Sequence, residues 1–233
     1  MHFAAVEAAL APLGLIAFGG FPPEPADGVP PMPDGRAAAS LVLVGNAGPG
    51  MWQSCAGAPE LADGKADALD RWTRRVLERA AAELGAVALF PFGGPPYLPL
   101  VRWAKRAGPV AASPLGILIH PDYGLWHAYR GALAFAGALD LPPRDARPRP
   151  CESCAEKPCL SACPVGAFTG ERYEVADCVK HISTAAGADC LGLGCRARRA
   201  CPVGRPFHYA AAQARFHMEA FLRARLASAD GAR

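Results

Sequence analysis

Eight of the nine cysteines in this sequence fall between Cys151 and Cys201, at spacings that suit metal ligation better than a disulfide framework. The first four lie in "CESCAEKPCLSACPVG", a C-x2-C-x4-C-x3-C-P run through Cys151, Cys154, Cys159 and Cys163. The bacterial iron–sulfur pattern is C-x2-C-x2-C-x3-C-P, in which three thiolates hold one cluster and the cysteine before proline ligates the other. The two differ only in the middle gap. A second run, "CLGLGCRARRACPVG", carries Cys190, Cys195 and Cys201 and is one cysteine short; Cys178 in "VADCVKHIST" supplies the missing thiol. The eight then divide into Cys151, Cys154, Cys159 and Cys201, and Cys163, Cys178, Cys190 and Cys195. The repeated "ACPVG", at 162–166 and 200–204, is where each Cys-Pro leaves its own run to complete the other set. Proline fixes φ and lacks an N–H, which turns the chain away after the ligand. The Val-Gly that follows is expected to let a helix start in "GAFTG" and in "GRPFHYAAAQ".

Two four-cysteine zinc sites would use the same eight thiols. The Cys-Pro pairs and the three-plus-one spacing favour two 4Fe–4S clusters. His181 and His208 lie near the runs, but eight cysteines already suffice, so capping or surface roles are expected for them. Cys55, in "GMWQSCAG", reads as a small buried residue.

These ligands need a scaffold. "SLVLVGNAGPG" reads as a buried strand entering a glycine-rich turn; it lacks the spacing of a dinucleotide fingerprint or a P-loop. In "DALDRWTRRVLERAAAELG", Leu69, Trp72, Val76, Ala80 and Leu84 share one helical face, and Gly85 is placed to stop the helix. "AVALF" reads as a strand, "PPYLPLVRWAKRAG" as a short helix and "LGILIHP" as another strand, giving a layered α/β sandwich. The proline-rich stretch at 139–151, "LDLPPRDARPRPC", reads as an extended linker. Phe207, Ala211, Ala214, Met218 and Phe221 form an apolar stripe on a terminal helix, expected to pack on the protein's own core. The expected division is an α/β domain at 1–140, a two-cluster domain at 141–206 and a C-terminal helix at 207–233.

Composition sets the remaining bounds. In 233 residues, 52% are hydrophobic and 19% charged, enough apolar matter for a core. The net charge of +3 is slight and the basic residues are scattered, so a nucleic-acid partner is not expected. "MHFAAVEAALAPLGLIAFGG" has no basic residue ahead of its apolar run, and Glu7 interrupts it. Neither a secretory signal nor a membrane span is expected, which implies a cytoplasmic protein.

From "KRAGPVAASPLGILIHPDYGLWHAYRGALAF" through "CESCAEKPCLSACPVGAF" to "DCVKHIST" and the final Cys-Pro, roughly residues 85 to 205, the sequence resembles the iron–sulfur epoxyqueuosine reductases, relatives of reductive dehalogenases and cobalamin-processing proteins. That resemblance implies a nitroreductase-like α/β domain that holds a corrinoid, followed by a ferredoxin-like domain with two 4Fe–4S clusters, an α+β protein in all. It also implies a ligand role for the cysteine between the runs, here Cys178. There are departures. The family's aspartate proton donor corresponds to "FPFGGPPYLPL", which contains no acid. The family's Gly-Trp-Ile-Gly-Lys-Asn segment is replaced by "GPVAASPLG". Helical repeats that help hold tRNA have no counterpart before the sequence ends, so the tRNA activity is not carried over.

Two functions are therefore expected as alternatives. One is an electron-transfer protein passing single electrons through two clusters to a redox partner protein. The other is a corrinoid-dependent or flavin-dependent reductase with a non-tRNA substrate, its cobalamin or flavin near Tyr123, Trp126, His127 and Tyr129 in "HPDYGLWHAYRG". The simpler reading of those four is the aromatic core of a helix.

Overall fold

The structure is a computed structural model that describes residues 2–230; Met1 and residues 231–233, the last of the expected C-terminal segment, lie outside the described residues. By packing, the chain forms two units, one of Met1–Pro109 with His127–Arg147 and one of Val110–Trp126 with Pro148–Arg233. Packing thus adds Val110–Trp126, read from the sequence as part of the first domain, to the cysteine-bearing unit.

In the first unit, β1 (Ile16–Phe21), β2 (Ser40–Ala47) and β3 (Val87–Leu89) join a later strand, His127–Phe135, in one antiparallel sheet. Numbered with the two strands that intervene in sequence, β4 (Ala111–Ala112) and β5 (Leu118–Ile119), that strand is β6, and the sheet order is β1-β2-β6-β3. Leu41, Val42, Leu43 and Val44 are consecutive and all fully buried, so both faces of β2 are covered. The Ala68–Leu84 helix packs on β3 and β6 and buries the expected face, Leu69, Trp72, Val76, Ala80 and Leu84. Gly85, at φ 64°, ends it by donating its N–H to the carbonyls of Ala81 and Ala82. The Leu100–Ala107 helix packs on β1, β2 and β6. It is pinned to the 25–27 turn: Trp103 Nε1 donates to the Asp27 carbonyl at 2.9 Å, and Arg106 pairs with the buried Asp27 carboxylate at 2.6 Å.

Two expectations are corrected here. "LGILIHP" yields only the two-residue β5, hydrogen-bonded to β4 in a small hairpin of the second unit rather than in the main sheet. "HPDYGLWHAYRG" is not helical: a turn leads into β6, the strand beside β2. Its small and mixed residues carry no clear period, and pairing with an already buried strand decides the matter.

The second unit is assembled from short helices around the cysteines. Pro150–Ser153 and Pro158–Ser161 frame the first run, Val175–Ile182 carries Cys178, Ala188–Leu193 carries Cys190, and Arg196–Arg199 precedes Cys201. The Ala211–Asp230 helix packs on the Val175–Ile182 and Ala188–Leu193 helices. Of the expected stripe, Ala214 is buried and Ala211 is exposed, while Phe207 belongs to a short 3-10 turn ahead of the helix. The 139–151 stretch carries no helix or strand until Pro150.

The repeated "ACPVG" has a backbone reason. Gly166 and Gly204, which close the two copies, both adopt left-handed φ, 60° and 75°. Each Cys-Pro is thereby followed by a sharp reversal that only glycine takes without strain. The helices expected directly after the repeats do not form there. Phe168 instead bridges to Tyr173, and a 3-10 turn at Arg205–Phe207 separates the second repeat from the Ala211–Asp230 helix. The two glycines differ in their surroundings. A Cβ on Gly204 would meet the Tyr123 carbonyl carbon at 2.3 Å, whereas one on Gly166 would meet nothing within 4 Å. Gly204→Ala is therefore expected to cost at least about 2 kcal/mol and Gly166→Ala about 1 kcal/mol, from left-handed strain alone in the second case. Thermal unfolding of the two variants gives the comparison, and equal losses would contradict it.

Candidate functional site

The second unit contains two cavities, each walled by four cysteines. One, of about 320 Å3 and partly open to solvent, is lined by Cys151, Cys154, Cys159 and Cys201, with Pro114, Ile119, Pro150, Lys157, Pro158, Pro202 and Val203. The other, of about 300 Å3, is lined by Cys163, Cys178, Cys190 and Cys195, with apolar neighbours that include Phe168, Ile182 and Met218. The Cys-Pro of each repeat thus faces the cavity of the other run. His181 and Arg196 also line the second cavity; His208 lies in neither. Cys55 is fully buried in the first unit and lines neither cavity.

Local structure explains the spacing. The four-residue gap between Cys154 and Cys159 contains a turn at Lys157, held at a left-handed φ of 42°, and Pro158 then begins the Pro158–Ser161 helix that carries Cys159. The extra residues relative to the iron–sulfur pattern are absorbed by that turn, and Cys159 still reaches the cavity. The hairpin of β4 and β5 supplies Pro114 and Ile119 as one wall, and Ala111, Leu115, Ile119 and Leu125 pack with Cys159, Ala197 and Cys201 as a small core. Sequence reasoning missed this wall because it placed the hairpin in the other domain.

Burial dominates the electrostatics of the thiols, with Lys157 opposing it at Cys151 and Arg205 at Cys201. Burial pushes the Cys151, Cys159 and Cys201 thiols up, and the neighbouring thiols of the same set push them further. Burial likewise raises Cys178 and Cys195. At Cys178 the Tyr173 hydroxyl opposes this rise, and burial raises the tyrosine itself. Cys163 accepts a backbone hydrogen bond from Ala167 N–H at 3.3 Å. Among the described residues, no group of three or more His, Cys, Asp or Glu side chains is arranged to hold a metal ion. The donor chemistry of the two cavities, soft sulfur in a mainly apolar wall, fits an iron–sulfur cluster or zinc.

The four aromatic candidates are divided between the units. Tyr123 and Trp126 belong to the second. Tyr123 packs against His120 and edge-on to Phe207, and the Trp126 ring lies between its neighbours Tyr209 and His208 with the Arg198 guanidinium 4.4 Å above it. Arg198 is fixed by two hydrogen bonds to the Leu125 carbonyl, at 2.6 and 2.9 Å. His208 is held below its ordinary value by burial and then by Arg199, Arg205 and Arg198. His127 and Tyr129 belong to the first unit, two residues apart on β6, and both meet Phe18, at 5.6 and 4.9 Å between ring centres. A bulge follows at Arg130, which turns toward Asn46 and Asp70. Trp126 Nε1, His208 Nε2 and the Tyr129 hydroxyl are buried polar atoms that find no hydrogen-bond partner among the described residues. Such atoms cost stability unless something outside the chain satisfies them.

No family model matches the chain, and no curated protein matches it. Among solved structures, it is similar to an epoxyqueuosine reductase in complex with a tRNA-Tyr epoxyqueuosine-modified stem loop, with 16% identity over 89% of this chain and 66% of that one and a TM-score of 0.50. Epoxyqueuosine reductase from Streptococcus thermophilus gives 18% identity over 74% of this chain and 51% of that one, with a TM-score of 0.47. The B12-trafficking protein CblC of C. elegans gives 15% identity over 94% and 93%, with a TM-score of 0.43. The chain spans about half the length of the S. thermophilus reductase. The mixed α+β fold with its antiparallel sheet is thus similar to that of an epoxyqueuosine reductase. One of these structures holds a tRNA stem loop, so the expectation against nucleic acid, drawn from slight net charge, gains no support. Among the described residues, no helix is long and apolar enough to cross a membrane.

In metal-free protein, the raised thiols of Cys151, Cys159 and Cys201 remain protonated at pH values where a free cysteine begins to ionise. Alkylation followed by mass spectrometry is expected to show them reacting slowly at pH 8, with rates still rising above pH 9. Rates that level off by pH 8 would contradict the arrangement.

Proposed function

We propose that this protein transfers single electrons through two 4Fe–4S clusters, the first held by Cys151, Cys154, Cys159 and Cys201 and the second by Cys163, Cys178, Cys190 and Cys195. The observation that carries this reading is the crossed arrangement of the cavities, in which each run provides three thiols or fewer to its own cavity and its Cys-Pro faces the other. A zinc pair has no need of that exchange, whereas two-cluster ferredoxins use it. When bound, the clusters supply one-electron chemistry. The chain's own residues fix the thiols, line the cavities with the apolar groups of Pro114, Ile119, Phe168 and Met218, and direct the Ala167 N–H onto Cys163. The acceptor is a redox partner protein in the cytoplasm.

A second reading, a corrinoid-dependent reductase, is favoured by a different observation: the first unit buries a tyrosine hydroxyl, that of Tyr129, with no protein partner, beside the rings of Phe18 and His127. The fold likeness to an epoxyqueuosine reductase supports the same reading. Here the clusters would feed electrons to a corrinoid, and the substrate class would differ from that of a reductase with a carboxylate proton donor, since "FPFGGPPYLPL" contains none.

Anaerobically prepared protein is expected to contain iron and acid-labile sulfide in equal amounts, and zinc without sulfide would refute the clusters. Cys178→Ala is expected to remove or alter the second cluster's electron paramagnetic resonance signal and leave the first intact. Titration of the cluster-loaded protein with cob(II)alamin separates the two readings: a bound base-off spectrum selects the reductase, and an unchanged free-cobalamin spectrum selects the electron carrier.

A further inference from the structure

The Arg196–Arg199 helix stands where the two thiol sets meet. Cys195, its N-cap residue, lines the second cavity, and Cys201, just beyond its end, lines the first. Five residues separate these cysteines where the iron–sulfur pattern has three, and Arg198 is the middle one. Backbone bonds join both cysteines to this one turn: Arg199 N–H donates to the Cys195 carbonyl at 3.0 Å, and Cys201 N–H to the Arg198 carbonyl at 3.3 Å. A helix of four residues has too little stability to place itself. Its three arginines take different partners. Arg196 and Arg199 both pair with Asp189, on the Ala188–Leu193 helix that carries Cys190 of the second set. Arg198 instead joins the first set: its Nε and Nη2 donate to the carbonyl of Leu125, at 2.9 and 2.6 Å, and Leu125 packs in one small core with Cys159 and Cys201. The same guanidinium lies over two buried rings, Trp126 at 4.4 Å and Tyr209 at 4.6 Å. A forked donor that also stacks on rings is particular to arginine, and lysine does not reproduce it.

From this arrangement we infer that Arg198 is a positioning residue that fixes the two thiol sets relative to each other, by tying the helix between Cys195 and Cys201 to the Leu125 carbonyl. Its readout rests on the two-cluster reading above. Without the bonds to Leu125, Asp189 still holds this helix to the second set, so the link that is lost is the one to the first. Each set keeps its four thiols, so occupancy does not require the guanidinium. What changes is the spacing between two centres that both stay filled. Electron exchange between two centres falls steeply with their separation, and a rigid strut gives every molecule the same separation. No bond or proton moves at Arg198 itself.

The test uses anaerobically loaded, full-length protein in which both clusters have been reduced, with iron and sulfide measured on each sample. Two reduced clusters in one chain split each other's electron paramagnetic resonance lines to a degree set by their separation. In Arg198→Met the unbranched apolar stem is kept and the fork is lost. The mutual splitting is expected to shrink or smear out, while iron, sulfide and total spin stay at the level of the unsubstituted protein. Arg198→Lys keeps the charge without the fork and is expected to lose the splitting in the same way. This second variant decides the matter if Arg198→Met does not fold. Altered splitting at full iron and sulfide in Arg198→Lys supports the inference. Splitting unchanged in Arg198→Lys at full loading overturns it, since the charge alone would then suffice. It is also overturned if neither variant takes up iron, which marks a role in folding alone, or if the reduced clusters of the unsubstituted protein show no mutual splitting. Zinc or no sulfide in the unsubstituted protein instead overturns the two-cluster reading itself, so the two failures are distinguishable.

Discussion

Four thiols around one cavity cannot all ionise without a cation among them. Each thiolate raises the cost of the next, and the apolar walls remove the water that would otherwise screen them. The cysteine unit is organised around this constraint. Its small core counts Cys159 and Cys201 among its buried members, with Cys151, Cys163 and Cys195 packed against it, so the thiols are part of the hydrophobic packing as well as facing the cavities. A unit made of helices as short as Pro150–Ser153, Pro158–Ser161 and Arg196–Arg199 has little secondary-structure stability of its own. Were the sulfurs to hold a metal or a cluster, its binding and the folding of this unit would be linked.

The first unit follows different rules. Its sheet has a central strand with both faces covered, two helices of clear amphipathic or buried character, and a buried carboxylate fixed by an arginine and a neighbouring backbone N–H. Nothing in that packing requires a metal. The cost it carries is local and polar: the Tyr129 hydroxyl is buried unpartnered, and Arg130 stands out of register beside it. Among the described residues of this unit, the strand bulge is where a buried polar group stands without a partner.

The legibility of these features in the sequence differs for physical reasons. The Ala68–Leu84 helix and β2 could be read because their signals are local: a periodic apolar face ended by Gly85, and an unbroken run of branched residues. The grouping of the cysteines could also be read, since ligand spacing is a property of short segments. β6 was missed because "HAYRGALAF" becomes a strand only through pairing with β2, a partner distant in sequence. The placement of Val110–Trp126 was missed for a similar reason. Gly124 belongs where a Cβ would meet the Val203 carbonyl oxygen at 2.0 Å, a close approach that neither segment announces alone.

The order of the cysteines along the chain has a consequence for how the unit comes together. Cys151, Cys154 and Cys159 share a cavity with Cys201, and every member of the other set lies between them in sequence, so one loop is nested inside another. Closing a loop costs entropy that grows slowly with its length, and a chain already closed outside has less freedom left to lose inside. Filling the outer cavity first therefore lowers the cost of forming the inner one, while filling the inner one shortens the loop that the outer must close. Each path makes the second step easier than the first. On the two-cluster reading, the nesting makes either site cheaper to complete once the other is filled.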